Sequence, residues 1–464
     1  MDFREHRVSD LAAEIASGAK SAREVIEGSF TRIAETNGQV NAFVSLDEEG
    51  ALAAARAVDE RRARGEALPP LAGIPIGVKD LEDAEGLPTS YGSACYRGAQ
   101  PATGDSTLVA RLKAAGCIVV GKTNTPEFGW TAKTDNALFG LTKNPWNLEH
   151  TPAGSSGGSA AAIASGMVPM ATASDGGGSI RIPASACGLA GMKPSYGRVP
   201  QADAEAPGWL DLSAKGPLAR RFSDVVMALN LVVGPDPADS SSLPALEAPL
   251  GGSIGRPLKV LWSPDLGFGE TDREVLSACE AALRSLEAAG VEVTPIDRVF
   301  DEDPINPWLS IVGACLDRSF APFEGSPALA EVDPILQMIV AGGAALSARG
   351  LIEAIDTRHF LTRQLTTALE GYDLLLCPTT AGVAPRNDLG GIGVVNGVET
   401  INWVQYTYAF NMTRSPAASV PIGKSTSGIP IGLQVVGNWL QDSLVLELAL
   451  LLERVHPFTD VAPL

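Results

Sequence analysis

Histidine is scarce in this chain: there are four in 464 residues, at His6, His150, His359 and His456. They lie far apart and none has a partner at metal-ligand spacing, which excludes the common histidine-built metal sites. The six cysteines (Cys95, Cys117, Cys187, Cys279, Cys315 and Cys377) are dispersed, without a Cys-x-x-Cys pair. They read as buried thiols in a reducing compartment. Positive charge is also short, with 35 Lys and Arg against 54 Asp and Glu, a formal net charge of −19. That balance argues against nucleic acid, whose phosphates call for a basic face, and against an anionic membrane surface. No apolar run reaches the roughly 18 residues of a membrane span. The polar start, Met1-Asp-Phe-Arg-Glu-His-Arg-Val-Ser-Asp, offers no secretory core, so a cytoplasmic location is expected. There is no internal repeat.

What is present is ordinary globular composition: 45% hydrophobic and 19% charged residues. Length allows one large core or two domains. Ser21-Ala-Arg-Glu24 is a capping box opening a helix that carries Val25, Phe30 and Ile33, and a second exposed helix is expected over 46–65. Leu71 to Asp80 contains a short apolar strand ending on Lys79 and Asp80. A helix over 105–115 then precedes a buried strand, Gly116-Cys-Ile-Val-Val-Gly-Lys. Further strands are expected at Leu258–Trp262, Val291–Pro295, Asp373–Pro378, Ala417–Pro421 and Ile431–Val436, and a closing helix over 441–455. This alternation predicts an α/β fold, a single α/β/α layered domain of residues 1–464 around a large mixed sheet. The stretch 234–256 reads as a surface connection. Residues 300–370 are helical without strand alternation and are expected to cap a pocket.

The chemistry concentrates between Pro152 and Ser185. Pro-Ala-Gly-Ser-Ser-Gly-Gly-Ser and Ser-Asp-Gly-Gly-Gly-Ser-Ile-Arg-Ile-Pro-Ala-Ser flank a short helix and an apolar strand. A Gly/Ser linker is disfavoured, because ordered-looking apolar sequence surrounds both clusters. Three glycines ending on a serine suit backbone N–H groups that converge without Cβ obstruction, and such a serine can attack a carbonyl while the amides hold the oxyanion. His150 lies five residues before Ser155 but in a loop-like segment, where a structural role is favoured. The remaining candidate base is a lysine buried enough to be neutral. Lys79 fits, against the alternative of an exposed lysine paired with Asp80.

Several ordered segments resemble the amidase signature family: Gly77-Val-Lys-Asp, Gly121-Lys-Thr-Asn-Thr-Pro-Glu-Phe, Leu138-Phe-Gly-Leu-Thr-Lys-Asn-Pro-Trp, Gly154-Ser-Ser-Gly-Gly-Ser and Gly176-Gly-Gly-Ser-Ile-Arg-Ile-Pro-Ala. Gly188 to Gly197 and Gly428-Ile-Pro-Ile-Gly-Leu-Gln-Val-Val-Gly continue the match, which spans nearly the whole chain. The resemblance implies an amide hydrolase with no metal or organic cofactor. It implies a triad of Ser179 as nucleophile, Ser155 as bridging serine after a cis peptide, and Lys79 as base. Ser156 is the neighbour most easily confused with Ser155. An oxyanion hole is implied at Gly176, Gly177 and Gly178, with the Ser179 amide. Asp175 and Arg181 are expected to pair and fix the nest. Asn124, Gly129 and Trp130 align with the family's substrate channel, Trp130 serving equally well as core.

Three departures stand out. Gly176 replaces a common threonine, which is expected to loosen or widen the nest. Arg414 stands where the family is apolar or small, and is expected to pair with a carboxylate of the fold. Ile182 replaces a glutamine typical of the glutaminase component of tRNA-dependent amidotransferases, which favours a stand-alone hydrolase over that partner-requiring relative. A non-catalytic scaffold is the rival of another class. The aromatic content of 400–416 (Trp403, Tyr406, Tyr408, Phe410) tilts the substrate towards aryl or hydrophobic amides, with small carbamates and esters beside them. A homodimer is left open.

Overall fold

The computed structural model describes residues 1–206 and 208–464. Its strands, in chain order, are β1 (Phe43–Leu46), β2 (Pro75–Lys79), β3 (Ile118–Thr123), β4 (Met170–Asp175), β5 (Ala190–Lys193), β6 (Ala214–Ala219), β7 (Lys259–Trp262), β8 (Glu292–Pro295), β9 (Leu374–Pro378), β10 (Gly393–Val395), β11 (Val398–Thr400), β12 (Ala417–Lys424) and β13 (Pro430–Val436). Eleven of them form one sheet in the order β1-β3-β2-β4-β6-β5-β12-β13-β9-β7-β8, while β10 and β11 make a separate hairpin. The sheet is mixed: β3, β2 and β4 run parallel, and β4 then pairs antiparallel with β6. This is the expected α/β architecture.

Both faces of the sheet are covered, which explains why its strands read as unbroken apolar runs. Successive side chains of a strand point to opposite faces. Along β9, Leu374 and Leu376 enter one hydrophobic cluster while Leu375 and Cys377 enter a second; along β7, Val260 and Leu261 divide the same way. The first cluster lies under the helices Val8–Ser17, Ala22–Val40, Phe222–Val232 and Asp442–Val455. The second lies under Ile305–Phe320 and Ala348–Ala368. The Ser21/Glu24 capping box forms as read, the Ser21 hydroxyl accepting from the Glu24 N–H. Among the described residues no single helix is long and apolar enough to cross a membrane.

Two elements are absent from the sequence reading. Ala214–Ala219 is a strand that the sequence does not announce, because Lys215, Gly216 and Pro217 interrupt its apolar pattern; it is buried throughout and pairs with both β4 and β5. Arg181–Cys187 is a short buried helix despite Pro183, which sits in its first turn, where a missing N–H costs nothing. The topology also places the chemistry. Because β2 and β4 are parallel neighbours, Lys79 and the Ser174-Asp175 pair leave the sheet side by side at its carboxyl edge, where open α/β sheets place their ligands.

Candidate active site

Lys79 closes β2, a strand buried at all five positions, and its side chain is wholly inaccessible. The backbone is locked by its N–H, which donates to Thr172 Oγ1 of β4 at 3.0 Å. At the other end, Nζ lies 2.9 Å from Ser155 Oγ and 3.0 Å from Ser174 Oγ. Burial disfavours the ammonium form and lowers the pKa to about 7, against the opposing pull of Glu82 and Asp175. The alternative partner is otherwise engaged: Asp80 pairs with Lys122 at 3.3 Å and accepts from the Ser90 hydroxyl.

Ser155 follows the cis Gly154–Ser155 peptide and stands one residue before Ser156, the N-cap of the helix Gly157–Ala164. That helix can approach so closely because Gly158 lacks a side chain; a Cβ there would stand 2.3 Å from the Asn124 nitrogen. The adjacent hydroxyl, on Ser156, donates instead to the Ser174 carbonyl at 3.3 Å. Ser156 N–H donates to the Ser179 carbonyl at 3.3 Å, which ties the two serine segments together.

The Gly176–Ser179 turn is held open by its carbonyls. Trp308 Nε1 donates to Gly176 O at 3.0 Å, Thr407 Oγ1 to Gly177 O at 2.6 Å, and Ile182 N–H to Gly178 O at 2.7 Å. The N–H groups of Gly176, Gly177 and Ser179 have no partner among the described residues. Gly178 departs from the expectation: its N–H donates to Asp175 Oδ1 at 2.7 Å, which withdraws it from the expected oxyanion set. The expected loosening at Gly176 is also corrected, because the space is filled. A Cβ on Gly176 would lie 2.5 Å from Trp209 Cε3, and one on Gly177 2.5 Å from Trp308 Cζ2.

Beneath the turn, Arg181 and Asp175 pair with both side chains fully buried, Nη2 to Oδ1 at 2.8 Å and Nε to Oδ2 at 2.9 Å. Asn411 Oδ1, Gln434 Oε1 and the Thr407 carbonyl accept the remaining guanidinium protons, and Asn411 Nδ2 donates to Asp175. Burial alone would raise the Asp175 carboxyl, but the Arg181 charge holds it well below the usual carboxylate range. The pair is a scaffold under the nest.

Ser155, Ser174, Gly176, Ser179 and Gly129 meet on the wall of one cavity of about 440 Å³. Gly129 sits at φ +70°, and a Cβ there would stand 3.2 Å from Ser155 Oγ. The Ser179 hydroxyl has no hydrogen-bond partner among the described residues. Among the same residues no group of three His, Cys, Asp or Glu could hold a metal ion.

Residues 24–446 match the family described as Amidase. The chain belongs to the amidase signature family, and it is an amide-hydrolysing enzyme. An acylamidase from Rhodococcus erythropolis is 35% identical over 98% of this chain and 96% of its own length. A glutamyl-tRNA(Gln) amidotransferase component from Salinispora arenicola is 35% identical over 99% of each. Among solved structures, a bacterial aryl acylamidase of the amidase signature family superposes with TM-score 0.91 at 28% identity, covering 98% of this chain and 97% of its own. A 6-aminohexanoate cyclic dimer hydrolase gives 0.90 at 26% identity, over 100% and 99%.

Other expected contacts of this amidase fall elsewhere. Asn124 is fully buried and its amide donates to Thr142 Oγ1 and Gly140 O, so it braces the loop behind Ser155 rather than facing substrate. Trp130 stacks on Trp308 with ring centroids 6.5 Å apart and is off the cavity wall. Trp403, Tyr406 and Phe410 are buried in the second core cluster; Tyr408 stacks behind Trp308. They support the wall without forming it. Of the 300–370 segment, the helix Ile305–Phe320 and Pro322 reach the cavity, through Leu316, Arg318 and Ser319. Arg414 pairs with Asp211 as expected. His150 is structural, its Nδ1 bonded to Ala384 O at 2.8 Å.

The sequence reading missed Ser174 and the aromatic wall of Tyr91, Tyr96, Phe128 and Trp209. Ser174 carried a usable signal: it sits one residue before Asp175 at the end of a strand parallel to that of Lys79. The aromatics are scattered over loops from 91 to 209, and no local pattern groups them.

Proposed function

We propose that the chain is a serine amidase in which neutral Lys79 draws a proton through Ser155 as Ser179 attacks the amide carbonyl. The observation that carries this reading is the 2.9 Å approach of Lys79 Nζ to Ser155 Oγ at a place where burial brings the lysine to about 7. A neutral amine has one lone pair and two N–H groups. The lone pair accepts from Ser155, while an N–H donates to Ser174 Oγ at 3.0 Å and fixes the orientation. The free amides of Gly176, Gly177 and Ser179 stabilise the oxyanion. The proton then returns through Ser155 to the leaving nitrogen, and water hydrolyses the acyl-enzyme by the same relay.

The aromatic wall supports aryl or hydrophobic amides as substrates, with small carbamates and esters accessible to the same relay. The helix Ile305–Phe320 caps the site within one catalytic domain. Ile182, whose Cδ1 packs beneath Gly178, favours the stand-alone hydrolase over an amidotransferase component. The test is a panel of chromogenic anilides, esters and carbamates on wild type and Ser179→Ala. Turnover by wild type and none by the variant is expected; equal turnover by both, or glutaminase activity appearing only with partner proteins, overturns the reading.

A further inference from the structure

We propose that the polar side chains of the cavity wall around Glu82 form a subsite for a primary ammonium group carried by the substrate. The proposal rests on the serine-amidase reading, and it adds the chemical class of the substrate. Beside its aromatic residues, the cavity wall carries Glu82, Asp83, Ser106, Asp203, Glu205 and Lys215.

The charges around Glu82 do not balance. Lys122 is matched by Asp80 at 3.3 Å, and Lys215 Nζ is bonded to Asp203 Oδ2. Asp203 Oδ1 also accepts from the Thr107 N–H at 2.7 Å. Burial would lower the Lys215 pKa, but Glu82 and Asp203 raise it, so this lysine stays a cation. Glu82 has no ion pair among the described residues, shares the wall with Asp83, Glu205 and Arg318, and lies near Lys79, which is held near neutral; burial pushes the Glu82 carboxyl up from the usual range. It is 2% exposed. Ser106 Oγ reaches its Oε2 at 3.4 Å, and Oε1 has no hydrogen-bond partner among the described residues.

A buried carboxylate oxygen left without a donor carries a large desolvation penalty. An ammonium beside Glu82 would supply both the missing donor and a counter-charge that favours the ionised carboxylate over the neutral acid that burial promotes, and charge-assisted hydrogen bonds are the strong ones. A neutral hydroxyl or methyl at the same place supplies at most one of these. Acyl or amine chains ending in a primary amine are therefore favoured over methyl-ended chains of equal length.

Calorimetric titration of wild-type protein with butyl- to octylammonium ions, against alcohols of equal length, reads the subsite directly. At least one ammonium ion is expected to bind about tenfold or more tightly than its alcohol. In Glu82→Gln that preference falls to within about threefold, while Glu82→Asp, which keeps the charge, retains part of it. Ammonium ions binding no better than alcohols in the wild type overturns the proposal without any variant, and so does a preference that survives Glu82→Gln. Ser179→Ala is expected to lose turnover yet keep ammonium binding, so failure of the nucleophile assignment and failure of the subsite give different results.

Discussion

Replacing Lys79 with methionine keeps the length of the side chain and removes its titratable amine, which isolates the energetic consequence of burying that amine. The drop from the ordinary 10.5 to about 7 corresponds to about 5 kcal/mol between the two protonation states. The group is fully inaccessible, so solvent screening does not discount the figure. Between pH 7 and 10.5 the unfolded chain holds a proton on this lysine that the native state has released. Unfolding free energy therefore rises with pH across that window, and the gain is lost as pH falls towards 7. Urea unfolding of wild type and Lys79→Met, followed by tryptophan fluorescence from pH 6 to 10, gives the difference between them. Lys193, which burial also brings to about 7, contributes equally to both proteins and cancels. The wild type is expected to gain on the variant by several kcal/mol from pH 7 to 10. A difference that stays flat over that range would mean a charged lysine, and the relay would have no base.

Ser155→Ala removes the bridging hydroxyl and is expected to lower kcat by about 10²–10⁴-fold with KM little changed, read with a chromogenic anilide. Asp175→Asn leaves the buried Arg181 guanidinium without its counter-charge; a loss of about 3–5 kcal/mol is expected in chemical denaturation. Gly177→Ala places a methyl group 2.5 Å from Trp308 Cζ2 and so displaces either the ring or the turn. A drop of about 10²-fold in kcat with far-UV circular dichroism unchanged is expected, because small misplacements near reacting atoms are that costly.

Much of the scaffold is legible in the chain because its signals are local. Apolar runs such as Leu374–Pro378 mark strands buried on both faces, and the Ser21/Glu24 box fixes a helix start to the residue. The triad candidates follow from motif and from the scarcity of histidine. What escapes is set by distant chain segments. Gly176 reads as a loosened position, yet Trp209 fills it, and nothing near Gly178 in sequence says that its N–H turns inward to Asp175. Composition points to the aromatic residues of 400–416 as pocket, but tertiary packing places Trp403 and Tyr406 in the core and leaves Tyr91 and Trp209 on the wall.

The most direct measurement follows a fluorophosphonate probe onto the protein by intact mass and peptide mapping as pH is varied. A single adduct on Ser179 is expected, its rate half-maximal near pH 7 and falling tenfold for each pH unit below, and absent in Lys79→Met. Labelling at another residue, or on Ser179 at an unchanged rate down to pH 5, would contradict a neutral lysine as the source of the serine's reactivity.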